Sequence, residues 1–267
     1  MIMTDWNLLA DDLANRFSLE LSGKAAKGQN GIFRVESIDA PNGFTIEINV
    51  GWRSVDATFR PDTFAAALLR TIKGSSEIQK QEFLNLISAF TKRGTKTYLK
   101  GQLLSGVETA DNLDLNGFDL ICVGFTDHSD DSGVILETVN ACIALILSLL
   151  PIENISEDLE ENGAALEGAY SRIEVNRYER NPANRAAAIA FHGAFCQVCG
   201  FDFRKVYGSI GHGYIEVHHL VPVSELGGTY AVNPITDLLP LCANCHSMVH
   251  RKNPPMSPEE LKAIMKK

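Results

Sequence analysis

The chain has 267 residues, of which 45% are hydrophobic and 21% are charged, and its formal net charge is −9. These values are typical of a globular protein and exclude a disordered or collagen-like chain. The first 17 residues contain acidic side chains and neither a basic start nor an apolar segment, so we expect no signal peptide. Four of the six cysteines lie in CxxC pairs, which favours a reducing, cytoplasmic location over a disulfide-stabilised secreted fold.

Residues 1–150 alternate between helical and strand-like patterns. Trp6, Leu9, Leu13 and Phe17 recur near helical spacing, and the most apolar run, 134–150, is too short and too interrupted to favour a membrane span. We therefore expect no membrane association and one α+β domain in this region. The predicted elements are a helix at 4–17, strands at 32–38, 44–50 and 52–59, helices at 61–72 and 76–91, strands at 97–104 and 119–125, and a helix at 133–150.

The segment 151–168 is rich in glutamate, asparagine and glycine, a composition typical of a solvated acidic linker. A polar, exposed helix that extends the first domain is the alternative. The linker divides the chain into a domain at 1–150 and a domain at 169–267.

The C-terminal domain is predicted to contain a helix at 183–192, a strand at 214–219 and a helix at 243–251. It is mildly basic, whereas the rest of the chain is acidic. Arg177, Arg180, Arg185 and Arg251 are candidate contacts to the phosphates of DNA. Because glutamates are interspersed with these arginines, a mixed solvated surface is the competing interpretation.

Two CxxC pairs about 40 residues apart indicate a structural zinc site. They supply Cys196, Cys199, Cys242 and Cys245, and four thiolates form a closed tetrahedral set that leaves no position for substrate. A redox pair is the main rival for an isolated CxxC, and the presence of two pairs makes it less favoured.

Four of the histidines that lie between or beside these cysteines form two pairs, HH at 218–219 and HxxxH at 246–250. His218 and His219 are neighbours on a predicted strand and point to opposite faces, whereas His246 and His250 share one face of a predicted helix. One strand histidine and the helix histidines could hold a divalent ion with open positions, and the other strand histidine could accept a proton from water. The alternative is a set of solvated histidines around a zinc finger. Glu216 shares the strand face of His218, and an exposed glutamate is favoured over a supporting role.

Taken together, these motifs resemble the HNH endonuclease family, in particular its McrA-like branch with an added four-cysteine zinc site. The matching segments are CQVC at 196–199, HHLVP at 218–222, DLLPLC at 237–242 and CHSMVH at 245–250. The resemblance implies a ββα-metal fold in the C-terminal domain, in which two strands and a helix hold one divalent ion, and it implies cleavage of phosphodiester bonds in DNA.

The resemblance also implies roles for individual residues. His219 matches the general base, while His218, His246 and His250 match ligands of the catalytic ion, which is Mg²⁺ or a transition metal such as Mn²⁺, Ni²⁺ or Co²⁺. Asp237 lies where the family often has asparagine, and we place it with His219 and His246 among the catalytic residues. An ionised aspartate accepts hydrogen bonds but donates none, so nearby Asn233 is the alternative for this position.

The predicted function is a metal-dependent DNA endonuclease in restriction or phage defence, with modified DNA as one candidate substrate. Two alternatives remain: a zinc-stabilised DNA-binding module without catalysis, and a nuclease effector controlled by a ligand or partner at the N-terminal domain. The predicted partners are DNA, a second copy of the chain, and a ligand or modified base at residues 1–150.

Overall fold

The computed structural model describes residues 4–17, 19–36, 41–126, 132–150, 182–220, 231–252 and 254–265. The predicted linker at 151–168 lies outside this part of the chain. The N-terminal elements, in chain order, are α1 (Trp6–Phe17), β1 (Leu21–Ala25), β2 (Gly31–Val35), β3 (Phe44–Val50), β4 (Ser54–Pro61), α2 (Ala66–Lys73), α3 (Glu77–Lys92), β5 (Lys96–Leu99), β6 (Gln102–Leu104), a 3₁₀ turn (Ala110–Asn112), β7 (Leu120–Phe125) and α4 (Ser132–Ser148).

A seven-stranded sheet forms the centre of the N-terminal part. Its strands lie in the order β1-β2-β3-β4-β7-β5-β6, and every neighbouring pair is antiparallel. Side chains of β2 and β3 alternate between buried and half-buried, as expected where one face of a sheet packs against helices. Helices α1, α3 and α4 contact the sheet strands.

Close packing at one edge of the sheet requires a glycine. The ring of Trp6 on α1 lies against Gly31, where an added Cβ would come within 2.4 Å of the indole carbons. Trp6 also packs edge-to-face on Phe33, at a centroid distance of 5.8 Å. This contact fixes α1 across the first strands.

The N-terminal α+β prediction is confirmed, with local differences in the strands. The single strand predicted at 97–104 is a hairpin, β5–β6, because Lys100 and Gly101 adopt positive φ values of 52° and 75° and reverse the chain. Strand β1 was not predicted, because its sequence LSGKA has little apolar alternation. The apolar run near 134–150 forms the buried helix α4, as predicted.

The C-terminal elements are α5 (Pro182–His192), α6 (Phe203–Tyr207), a 3₁₀ turn (Gly208–Gly211), β8 (Glu216–His219), β9 (Leu238–Leu241), α7 (Ala243–Val249) and α8 (Pro258–Met265). Helix α6 and this 3₁₀ turn precede β8 and were not predicted. Helix α8 was not predicted. In the part of the chain that the structure describes, no helix is both long and apolar enough to cross a membrane.

Helix α5 contributes to both hydrophobic cores. Its residues Ala183, Ala186, Ala187 and Ala190 are buried in the N-terminal core, whereas Ala188 and Ile189 belong to the core around β8, β9 and α7. Alanine carries only a methyl group, so the neighbouring helices can approach α5 closely. The two cores are therefore joined through one helix.

Candidate metal centres and active site

Strands β8 and β9 and helix α7 form the frame of the candidate site. The two strands pair antiparallel, with His218 opposite Leu239 and His219 opposite Leu238. Helix α7 follows β9 directly and begins after Cys242, whose sulfur accepts a hydrogen bond from the amide of Cys245. This order of two strands and a helix is the ββα arrangement that the sequence predicted.

Three histidines from this frame form a cluster. His218 on β8 lies beside His246 and His250, which are one helical turn apart on and just after α7. The ring centroids are 5.0–5.3 Å apart, and one nitrogen from each ring lies within 4.8 Å of the others. Three rings that bind one ion through nitrogens at about 2.1 Å have centroids roughly 5 Å apart, so the cluster fits a single metal ion.

Glu216 orients one of these histidines. Its Oε2 lies 2.6 Å from Nδ1 of His246, and only 13% of the Glu216 side chain is exposed. With Nδ1 bonded to the carboxylate, an ion would be held through Nε2, and a carboxylate partner makes the ring a stronger ligand. The expectation that Glu216 is an exposed glutamate is wrong, because β8 turns this side chain toward α7.

Burial keeps two of the cluster's histidines neutral. Burial, followed by the positive charges that His246, His250 and His219 carry when protonated, lowers the pKa of His218 to about 3. Burial and the neighbouring His246 also lower the pKa of His250. A neutral imidazole is the form that binds a metal, so these rings are ready to act as ligands near pH 7.

His219 lies half-buried at a cleft next to the cluster. The cleft has a volume of about 300 Å³ and is lined by His218, His219, Leu220 and residues 254–259. Neighbouring residues of a strand point to opposite faces, yet both histidines border this cleft because β8 ends at His219. The histidine that the sequence predicted as the base thus borders the same cavity as a predicted ligand.

The loop before β9 is closed by Asn233 and Asp237 together. The Asp237 carboxylate accepts hydrogen bonds from the backbone N–H of Asn233 at 2.7 Å and from Thr236 Oγ1 at 2.8 Å. The Asn233 side chain accepts one from the Ile235 amide, and the carbonyl of Asp237 accepts one from Leu220, directly after His219. Asn233 and Asp237, the two candidates for the middle of the motif, therefore both form hydrogen bonds that close this loop.

The four cysteines form a second cluster. Their sulfurs lie within 4.8 Å of one another, and Cys199 Sγ and Cys242 Sγ are 3.7 Å apart. A tetrahedral zinc site with Zn–S bonds of about 2.3 Å has sulfurs about 3.8 Å apart, so the cluster fits that ion. The first pair is tied to β9 through the Gln197 amide, which donates to the carbonyl of Pro240.

The cysteine thiols of this cluster differ in their pKa values. Burial raises the pKa of a thiol, but backbone hydrogen bonds outweigh burial at Cys196 and lower its pKa to about 7. At Cys242 and Cys245, burial raises the pKa. The cluster would therefore bind zinc through one readily formed thiolate and release further protons as the ion enters.

The predicted DNA-contacting arginines differ in their surroundings. Arg251 is exposed just after α7, whereas Arg177 and Arg180 lie outside the described residues. Arg185 on α5 directs its guanidinium to backbone carbonyls of Asn15, Arg16 and Ile215. These bonds connect α5 to the end of α1 and to the residue before β8. They argue against the phosphate contact predicted for Arg185.

Comparison with known proteins agrees with this geometry. Residues 196–252 match the model of the family described as HNH endonuclease, and they span both clusters. Residues 196–252 therefore match an HNH endonuclease domain, in agreement with the fold class predicted for the C-terminal part.

One relative gives a more specific comparison. The chain is 30% identical over 100 residues to the type IV methyl-directed restriction enzyme EcoKMcrA of Escherichia coli (strain K12). The match covers 36% of this chain and 34% of that enzyme, so it spans about a third of either protein. No solved structure gave a significant match.

Proposed function

We propose that the protein is a metal-dependent endonuclease that hydrolyses phosphodiester bonds in DNA. The observation that carries the proposal is the triangle of His218, His246 and His250 next to His219, in a segment that matches HNH endonucleases. A zinc-stabilised binding module would not need three mutually facing imidazoles, one of which is oriented by a half-buried glutamate.

Each cluster suits a different metal. Four thiolates favour Zn²⁺ in a closed structural site, and they suit a reducing compartment such as the cytoplasm. Three imidazoles leave coordination positions open and favour an exchangeable transition metal such as Ni²⁺ or Co²⁺. Mg²⁺ and Mn²⁺ prefer oxygen ligands, so either ion would depend more on water and phosphate oxygens at the open positions. An ion bound there would polarise the scissile phosphate and stabilise the charge on the leaving oxygen.

The protein's own residues supply the remaining functions. His219, at the cleft beside the cluster, would take a proton from the attacking water. Glu216 holds the ring of His246, and Asp237 with Asn233 fixes the backbone next to His219. We therefore assign Asp237 to positioning, and keep His219 and His246 as the residues that act at the reacting centre.

The DNA backbone would approach from the side of α7. Arg251 is exposed directly after His250 and can contact a phosphate next to the ion. Arg177 and Arg180 remain candidates for further contacts. Cutting both strands with a single-ion site often involves two active sites, so we propose that two copies of the chain act together.

We further propose a role in restriction and phage defence. The name of the relative describes a methyl-directed restriction enzyme. By analogy, the N-terminal domain would recognise a modified base, or a ligand or partner protein that controls cleavage.

A plasmid-cleavage assay tests the proposal. The full-length protein is incubated with supercoiled plasmid that is unmodified, methylated or otherwise modified, in EDTA, Mg²⁺, Mn²⁺, Ni²⁺ or Co²⁺. We expect nicked or linear product with at least one metal and none in EDTA. DNA binding without cleavage in every metal and on every substrate would instead favour the binding module, and cleavage only after a partner or ligand is added would favour the controlled effector.

A further inference from the structure

Arg185 connects the N-terminal helix α1 to the start of the strand that carries His218. Its Nη1 donates hydrogen bonds to the carbonyl of Asn15, at 3.2 Å, and to that of Arg16, and its Nη2 donates to the carbonyl of Ile215 at 2.7 Å. Ile215 immediately precedes Glu216, the first residue of β8. The guanidinium of Arg185 thus links the C-terminal end of α1 to the residue before β8, the strand that carries His218.

The bonds at α1 satisfy groups that a helix leaves unpaired. The last four carbonyls of a helix have no partner inside it, and they carry the negative end of the helix dipole. In α1, which ends at Phe17, the carbonyl of Ala14 accepts from Leu19, and those of Asn15 and Arg16 accept from Arg185. The guanidinium of Arg185 at the C-terminal end of α1 is therefore stabilised both by its hydrogen bonds to these carbonyls and by the helix dipole.

A second connection runs beside the first. His212 Nδ1, in the segment that leads into β8, lies 3.1 Å from Oδ1 of Asp12 on α1, and Asp12 is only 2% exposed. Gly213 makes this approach possible, because its φ is +68° and a Cβ there would lie 3.1 Å from the same carboxylate oxygen. Asp12 is in turn paired with Arg16.

We infer that Arg185 is a positioning residue for the histidine cluster, and that helix α1 is part of the support on which β8 rests. The guanidinium fixes the backbone one residue before Glu216, which orients His246, and three residues before His218. A shift of β8 would move His218 and Glu216 together relative to α7. The effect on metal affinity rests on the proposed function, whereas the effect on the position of β8 does not.

Arg93 provides a matched control. Its Nη1 donates to the carbonyl of Phe191, at the C-terminal end of α5, at 2.6 Å. It therefore also ties α5 to the N-terminal part by a guanidinium–carbonyl bond, but this bond ends on α5 and not on the segment before β8. Arg93→Ala removes a comparable bond without removing the support of β8.

The test uses the full-length, zinc-loaded protein as wild type, Arg185→Ala, Arg185→Lys and Arg93→Ala. Hydrogen exchange measures protection of the amides at 216–219, and the absorption of added Co²⁺ reports its affinity for the histidine site. For Arg185→Ala we expect roughly tenfold faster exchange at 216–219 and a 10- to 100-fold loss of Co²⁺ affinity, as when support of a metal ligand is removed. Zinc content should not change, and Arg93→Ala should behave as wild type.

Arg185→Lys keeps the charge but cannot bridge all three carbonyls, so we expect its exchange rate at 216–219 and its Co²⁺ affinity to lie between those of the wild type and Arg185→Ala. If Arg185→Ala does not fold, Arg185→Lys provides the test. Wild-type exchange and wild-type Co²⁺ affinity in the Arg185 variants would overturn the inference, as would an equal change in Arg93→Ala. If the wild type does not bind Co²⁺ through its histidines, the proposed function fails, and the exchange data alone then decide the positioning role.

Discussion

At the scale of single residues, the site depends on side chains whose role only long-range contacts reveal. Glu216 alternates with buried residues in its strand and reads as exposed, but its partner His246 lies 30 positions later. Arg185 reads as a surface cation, but its acceptors come from α1 and from the residue before β8. The sequence identified the histidines and cysteines because their chemistry and spacing are distinctive. It could not identify Glu216 and Arg185 as supporting residues, because their partners lie far away in the sequence.

Replacing Glu216 with glutamine should weaken the histidine site. The amide cannot supply the negative charge that orients His246 and strengthens it as a ligand, so we expect a 10- to 100-fold loss of Co²⁺ or Ni²⁺ affinity. Titration calorimetry on the zinc-loaded protein measures this change. Glu47→Gln, which alters an exposed glutamate in the N-terminal sheet, serves as the control. Unchanged affinity in Glu216→Gln would remove Glu216 from the site.

At the scale of elements, the four-cysteine cluster should hold the C-terminal core together. Cys196, Cys242 and Cys245 are buried within that core, so a bound metal would link the turn at 196–199 to the start of α7. We expect Cys199→Ser to lose most of the bound zinc and to lower the melting temperature. Cys142→Ala, which removes a buried thiol from the other core, should keep its zinc. Full zinc content in Cys199→Ser would contradict this assignment.

The end of β4 offers a pH-dependent test of the N-terminal sheet. Asp62 accepts two hydrogen bonds from Arg34, at 2.8 and 2.9 Å, and this pairing lowers the pKa of Asp62. Because the folded-state pKa is depressed, the pair stabilises the protein above the unfolded value of about 3.9, and the stabilisation is lost as the pH falls through the folded value.

Asp62→Asn should therefore lower the unfolding free energy by about 1.5–3 kcal/mol at pH 7, as expected for hydrogen bonds to a charged group. Urea unfolding at pH 7 and at successively lower pH measures the difference between wild type and variant. That difference should shrink as the pH drops below about 4. A difference that stays constant with pH would show that the charge of Asp62 does not stabilise the fold.

Among the elements, those with strong patterns were predicted and those with weak patterns were not. Helices α1, α3 and α4 and strand β3 follow from apolar periodicity. Strand β1 was missed because a short edge strand needs no apolar alternation, and the β5–β6 hairpin was missed because Lys100 carries no turn signal. In the ββα frame, strand β8 and helix α7 follow from the sequence pattern, whereas β9 was expected only from the resemblance to a family, since a strand of four residues is too short for periodicity to reveal.

At the scale of the whole molecule, helix α5 makes the C-terminal part dependent on the N-terminal part. Removing residues 1–168 would expose the alanine face of α5 and delete two of the three carbonyl acceptors of Arg185, those of Asn15 and Arg16. We therefore expect a fragment of residues 169–267 to have lower stability than the full-length protein and weaker Co²⁺ binding. Calorimetric melting and Co²⁺ titration of the fragment test this expectation. A fragment that is stable and cleaves DNA faster than the full chain would support control of the nuclease by the N-terminal domain.

The central claim is that the histidine cluster cleaves DNA with His219 as the base. The most direct test is the rate of plasmid nicking by His219→Ala, with the metal and substrate that give the highest wild-type activity. We predict a loss of at least about 100-fold, with zinc content and Co²⁺ affinity unchanged, because proton transfer by a positioned side chain typically contributes that much to the rate. Cleavage by His219→Ala at the wild-type rate would contradict the account.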